Sequence, residues 1–214
     1  MNYKLIYFLL ALFVFSSCER KPARPEIAEV PEDFYPAQRE VWQQPAFVLD
    51  AMGDLEEKVV ADIGAGRGFL VPYVAPYCDR MIAIEIDPKL VDYLQDTLRP
   101  AILPTNQQMR LEARLTVPDQ PGLNDAEADV VLLVNTLMYI DEPADYLKKL
   151  YPKIKPGGRL VIVDWKSQET AYGPPLEERI PLNKLHEMLA ADGFKVSRSD
   201  DSTLDYQYLV VAEK

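Results

Sequence analysis

The stretch Val59 to Leu70, VVADIGAGRGFL, constrains the fold more than any other part of the chain. Val59, Val60 and Ala61 form a short apolar run, the pattern of a central strand buried on both faces. Asp62 stands near the carboxyl end of that strand, and Gly64, Gly66 and Gly68 follow it. Glycines there let the backbone turn tightly and let a ligand approach with no Cβ in the way. A strand, a glycine turn and a helix start, in this order, predict an open α/β sheet that holds a nucleotide-like ligand at the carboxyl ends of its strands. A glycine-rich turn with no ligand is the competing reading of this stretch taken alone.

A dinucleotide fingerprint would place a third glycine at position 69, where this chain has Phe69. The spacing GxGxG behind an acidic residue resembles motif I of the class I S-adenosylmethionine-dependent methyltransferases. That resemblance implies a cofactor, S-adenosylmethionine (SAM), held around Asp62, Gly64, Ala65, Gly66 and Gly68. SAM carries an ammonium and a sulfonium and no phosphate, so a carboxylate such as that of Asp62 is favourable beside it. An acidic side chain about 20 residues past the glycine turn can accept from both ribose hydroxyls. Glu85 stands there, and the family has its ribose ligand at this place. Asp87 precedes Pro88 and reads as the cap of the next helix instead.

Other segments extend the resemblance. KPGGRLVIVD, Lys155 to Asp164, is similar to the family's lead into its fifth strand. Arg39, Trp42, Gln43 and Pro45 match an R-x-x-W-Q-x-P pattern found ahead of motif I in a group of small bacterial methyltransferases. There the segment packs over the cofactor cleft; a core anchor is the equal reading of Trp42. Pro118 to Leu123, and Tyr172 to Pro175 with Arg179 to Pro181, resemble loops of the same group. One segment departs. The family usually has an acidic residue near the adenine just after its third strand; here Arg114-Leu115-Thr116 follows the expected strand, and Asp119 is the nearest acid.

The remaining periodicities fill in a sheet and its helices. They predict helices over 46–52 behind Pro45, over 69–77, through Leu90, Val91, Leu94 and Leu98, over 147–154, and through Leu182, Leu185, Met188 and Leu189. They predict strands over 81–84, 108–113, 129–134 and 159–164, then a terminal hairpin of 194–199 and 206–212. Together these imply a Rossmann-like class I methyltransferase fold, a seven-stranded mostly parallel sheet with a C-terminal antiparallel hairpin. A dinucleotide-binding fold would repeat a second parallel half instead. Asn135 and Tyr139 close a strand and so are expected on the substrate side, Asn135 among the cofactor-binding residues. Asn135 as a cap for the next turn is the even alternative. His186, the single histidine, falls on the late helix, far from the strand ends, and is expected at a solvated position. No catalytic base and no metal ligand is assigned. The implied reaction is direct in-line displacement at the sulfonium methyl, aided by positioning and a dry electrostatic site.

A net charge of −11 argues against a broad nucleic-acid surface, which needs clustered Lys and Arg, and favours a small-molecule acceptor or a basic one. At the start, Lys4 precedes an apolar run from Leu5 to Phe15, too short to span a bilayer but matching the n- and h-regions of a secretory signal. Ser16-Ser17-Cys18 then resembles the bacterial lipoprotein signal, in which the cysteine is lipidated and becomes the new N-terminus. An uncleaved signal anchor is the weaker alternative. Residues 19–36, charged and proline-rich, read as a tether, and 37–214 as the methyltransferase domain. The expected location is a membrane-anchored bacterial lipoprotein at the periplasmic or outer-membrane face. Cys78, the only other cysteine, is expected to be structural, near a strand start. SAM is scarce outside the cytoplasm, so a second reading is a non-catalytic ligand- or partner-binding lipoprotein that keeps the fold. Mass spectrometry of the membrane fraction is expected to find an acylated N-terminal Cys18; a mature, unlipidated chain beginning at Met1 would defeat this reading.

Overall fold

The structure, a computed structural model, describes residues 39–214; Cys18, the leader and the tether lie outside the described residues. Seven strands form one sheet: β1 (Val59–Ile63), β2 (Arg80–Glu85), β3 (Leu111–Leu115), β4 (Ala128–Val134), β5 (Ile154–Trp165), β6 (Lys195–Asp200) and β7 (Gln207–Glu213). Their order across the sheet is β3-β2-β1-β4-β5-β7-β6. The first five run parallel, and β7 is antiparallel to both β5 and β6. The expected mostly parallel sheet with its terminal hairpin is therefore present.

Alternation along each strand divides the side chains between two cores. Val60, Met81, Ala83, Leu132, Val161 and Leu209 point to one face and meet helices α2 (Pro45–Met52) and α3 (Val71–Val74) and the segment around Leu94. Ala61, Ile82, Val131, Leu133, Ile162 and Val210 point to the other face and meet α6 (Pro143–Leu150) and α7 (Leu182–Ala191). Both faces of the central strands are covered, which is why β1 and β4 read as continuous apolar runs. Ahead of α2 lies the short α1 (Arg39–Gln43). Helix α4 (Pro88–Tyr93) starts at an Asp87 cap whose Oδ1 accepts from the Lys89 amide at 2.8 Å, and it continues as a π turn over Leu94–Leu98 and then as α5 (Arg99–Ile102).

Several expected boundaries move, each for a local reason. The helix expected over 69–77 is only Val71–Val74, because Pro76 has no N–H to carry a further turn. The helix expected over 147–154 is Pro143–Leu150. Pro143 suits its first turn, and Pro152 limits residues Tyr151–Lys153 to a 3₁₀ turn, so Ile154 already begins β5. The turn at Lys155–Gly158 is an insertion within β5: pairing jumps from Ala128↔Ile154 to Val130↔Arg159. The third strand is Leu111–Leu115 rather than 108–113.

That shift places Arg114 inside β3, where it is half-buried and structural. Its Nη1 and Nη2 donate to the two Glu127 oxygens at 2.9 and 2.8 Å, and its Nε donates to Glu112 at 2.7 Å. Arg80 of β2 also reaches Glu112 and Glu127. This cluster ties the sheet edge to the loop ahead of β4, with Asn124 N also donating to Glu127 at 2.8 Å. The Arg114 fork holds the Glu127 carboxyl down at about 2, against an ordinary 4.5. Its side chain is only 11% exposed. A carboxylate depressed in this way adds stability above its ordinary value and loses it as pH falls from about 4.5 to about 2. Glu127→Gln is expected to cost about 1–3 kcal/mol in a urea titration at neutral pH. It should also flatten the acid limb of the wild-type stability profile between those two pH values.

Candidate cofactor and active site

The glycine loop leaves β1 by leaning on β2. The Gly64 and Ala65 amides both donate to the Ile84 carbonyl, at 2.9 and 3.0 Å, and Gly68 N closes the turn on Ala65 O at 2.8 Å. Gly64, Gly66 and Gly68 all have positive φ. Their neighbours differ, and so do their roles. A Cβ on Gly64 would lie 2.5 Å from Thr136 Oγ1, so this glycine lets the loop pass the end of β4. One on Gly68 would lie 2.4 Å from Leu98 Cδ2 and 2.7 Å from Leu94 Cδ2, so Gly68 serves close packing of the π turn. A Cβ on Gly66 would meet nothing within 4 Å. Gly66 alone faces open space, and its backbone is what a ligand would touch.

Two carboxylates flank that space. Glu85 ends β2; its Oε2 accepts from Gly66 N at 2.8 Å and its Oε1 from Ile86 N at 2.7 Å. Asp62 is 4% exposed at the end of β1. Burial pushes its carboxyl up to about 7; Arg39 on α1 opposes the rise and Glu85 adds to it. A buried carboxylate at this value is short of positive charge.

The ends of β4, β5 and β7 add a polar group that sequence reasoning only partly found. Asn135 is buried with φ +57, and its Oδ1 accepts from Gln207 Nε2. It does not cap the following 3₁₀ turn, Leu137–Tyr139, whose N-cap position is Thr136 and has no side-chain cap. Asp164 is buried and raised to about 7 by burial, against the Trp165 and Met138 amides. Its Oδ2, Asn135 Nδ2, Gln207 Oε1, Gln43 Nε2 and Trp42 Nε1 are buried without partners. Unpaired buried polar atoms are rare in native cores, and those of Asn135 and Gln207 belong to side chains bonded to each other at this end of the sheet. Asp164 and Gln207 were not singled out from sequence; their one signal was position, Asp164 near the carboxyl end of β5 and Gln207 across from the next residue, Trp165. Trp42 is buried, 5.4 Å from Trp165 and 6.1 Å from Tyr206 between ring centroids. It is thus a core anchor that also roofs this end of the sheet. Tyr139 is partly exposed at the rim.

His186 does not join the site; it lies on α7 with Nε2 3.1 Å from Ser199 Oγ. Cys78 is buried just ahead of β2, and burial pushes its thiol up to about 11, so it is an inert packing residue.

Comparison with known proteins fits this geometry. Residues 61–162 match the family model described as a methyltransferase domain, from β1 to near the end of β5. A solved SAM-dependent methyltransferase from Aquifex aeolicus is 26% identical, with a TM-score of 0.75, covering 85% of this chain and 95% of that one. An uncharacterized methyltransferase of Schizosaccharomyces pombe is 25% identical over 119 residues, 53% of this chain and 41% of that protein. Ribosomal RNA small subunit methyltransferase A of Shouchella clausii is 29% identical over 102 residues, 46% of this chain and 33% of that protein. The chain thus spans less than half the length of these two curated relatives. The sheet order and glycine loop are those of a Rossmann-like fold, and residues 61–162 within it are similar to the methyltransferase domain, the class of the SAM-dependent enzyme matched above. SAM is the cofactor of that class, and the open backbone at Gly66 between two buried carboxylates suits its two positive charges.

The three glycines separate experimentally. Gly68→Val is expected to lower the melting temperature by several degrees or prevent folding, because its side chain collides with Leu94 and Leu98. Gly66→Val meets no neighbour and pays only the left-handed backbone, about 1–2 kcal/mol. It should keep a native circular dichroism spectrum while calorimetry shows SAM binding lost.

Proposed function

We propose that this protein transfers the methyl group of SAM to a small-molecule acceptor by direct in-line displacement. The observation that carries the reading is the open backbone at Gly66 between the buried carboxylates of Asp62 and Glu85. Asp62 would take the cofactor's ammonium, and Glu85, which keeps accepting capacity beyond its backbone bonds, the ribose hydroxyls. The backbone of Gly64, Ala65 and Gly66 would line the cofactor, with Gly68 closing the loop behind it. Asn135 would sit where cofactor and acceptor meet. The bound cofactor supplies a methyl group on a sulfonium, ready for attack by an O, N, S or C nucleophile. The chain's part is to orient both reactants and exclude water.

Ribosomal RNA is the substrate named for some relatives. A net charge of −11 weighs against a phosphate backbone as partner here and supports a small acceptor. Arg114, which stands in the segment where the family has its acidic residue, is held in an ion cluster with Glu112 and Glu127. Lipidation at Cys18 and a place at the periplasmic or outer-membrane face complete the proposal. They rest on the leader sequence and on the 19–36 tether, which would hold the domain off the membrane.

Calorimetry with SAM, S-adenosylhomocysteine and NAD is expected to show binding of the first two and none of the third. Labelled SAM with a panel of phenols, thiols, amines and quinols then reads turnover. Absence of SAM binding at millimolar cofactor would end the methyltransferase reading in favour of a non-catalytic binding protein. Glu85→Ala removes a charge-assisted hydrogen bond and is expected to weaken SAM about tenfold or more. Asp87→Ala should instead cost about 1 kcal/mol of stability through the lost cap and leave binding unchanged; the reverse pattern would move the ribose ligand to Asp87.

A further inference from the structure

The cofactor's methionine end carries an ammonium and a carboxylate on one carbon. A site that recognises both needs an acid and a base side by side. We propose that Arg39 is that base and receives the cofactor carboxylate while Asp62 takes the ammonium; the proposal rests on the SAM reading above.

Arg39 opens α1. Its guanidinium carbon lies 4.1 Å from the ring centre of Phe69, the residue that follows the glycine loop. Its Nε donates to Oε1 of Gln43, a fully buried side chain, which aims the planar group. The helix itself is fixed from two sides: Tyr73 Oη donates to Glu40 at 2.9 Å, and Trp42 packs against Trp165. Arg39 is also the cation whose charge reaches Asp62. That charge does not satisfy Asp62, whose carboxyl burial still lifts to about 7. An ammonium on Asp62 would supply the missing charge, and would leave Arg39 facing the anion attached to the same carbon. A guanidinium fork suits a carboxylate in two parallel hydrogen bonds. The charges then match as sets. Asp62, Glu85 and Arg39 offer two negatives and one positive, and SAM offers two positives and one negative. The rival cation is Arg67 within the loop, but it is exposed and lies over Tyr93 at 5.0 Å, on the α4 side.

The test is calorimetry of the full-length protein with two ligands, SAM and its decarboxylated analogue, which keeps the adenosine, sulfonium and ammonium. The readout is the ratio of the two affinities, because loosening of α1 would weaken both ligands alike. Removing one charge-assisted contact should change that ratio by about tenfold or more. Going from wild type to Arg39→Gln, the preference for SAM over the analogue should fall by that factor. Arg39→Lys keeps the charge without the fork and should retain part of the preference, and Arg67→Gln should retain all of it. Circular dichroism checks each fold, and Arg39→Lys decides the matter if Arg39→Gln does not fold. Equal weakening of both ligands in Arg39→Gln, an unchanged ratio, or a collapse of the ratio in Arg67→Gln instead would overturn the proposal. Wild type that binds neither ligand would remove the cofactor reading itself, and this proposal with it.

Discussion

The hydrogen bond from Gly66 N to Glu85 Oε2 sets the geometry on which the site depends. A loop with three positive-φ glycines has little stiffness of its own. Here its first half is held by β2: Gly64 and Ala65 hang on the Ile84 carbonyl, and Gly66 hangs on the side chain of the next residue. The loop is therefore an extension of the β1–β2 pairing. Its open side is fixed by the same bonds that register the two strands. Because Glu85 also accepts from Ile86 N, the carboxylate is oriented before any ligand arrives.

That arrangement needs a sheet that does not shift, and the packing supplies one. Strict alternation gives each central strand a residue to one core and the next to the other, so a one-residue slip would exchange every side chain between the two cores. At the β3 edge, where burial is weaker, the Arg80–Glu112–Arg114–Glu127 cluster takes over part of this work. Charged side chains there also blunt an edge strand that would otherwise present unpaired backbone.

Legibility in the sequence depends on how local each signal is. β1, the glycine turn, β4 and the terminal hairpin declare themselves through apolar runs and alternation, and Asp87-Pro88 declares a helix start. The shifted bounds of β3 have a physical cause: an edge strand with Glu112 and Arg114 in it lacks an apolar pattern, and its charges make sense only once Arg80 and Glu127 arrive from elsewhere. Gly66 and Gly68 look alike in the sequence, yet one faces open space and the other faces Leu94 and Leu98. The pairing of Asn135 with Gln207 joins positions far apart in the chain through the β5–β7 register, which no local pattern carries.

The distribution of unfavourable terms tracks the function. Asp62 and Asp164 are both buried, both at strand ends, and both raised to about 7 by burial. A carboxyl raised in the folded state binds its proton more tightly there than in the unfolded chain. Stability from these two groups is fully present below their ordinary 3.8 and is lost as pH rises toward about 7. The ligand-free domain thus bears an electrostatic cost at neutral pH, concentrated at one end of the sheet beside the unpaired atoms of Asn135 and Gln207. A cationic ligand at Asp62 would stabilise the ionised form and lower that cost. By linkage, the strain that burial imposes on Asp62 becomes part of the affinity for a positively charged cofactor.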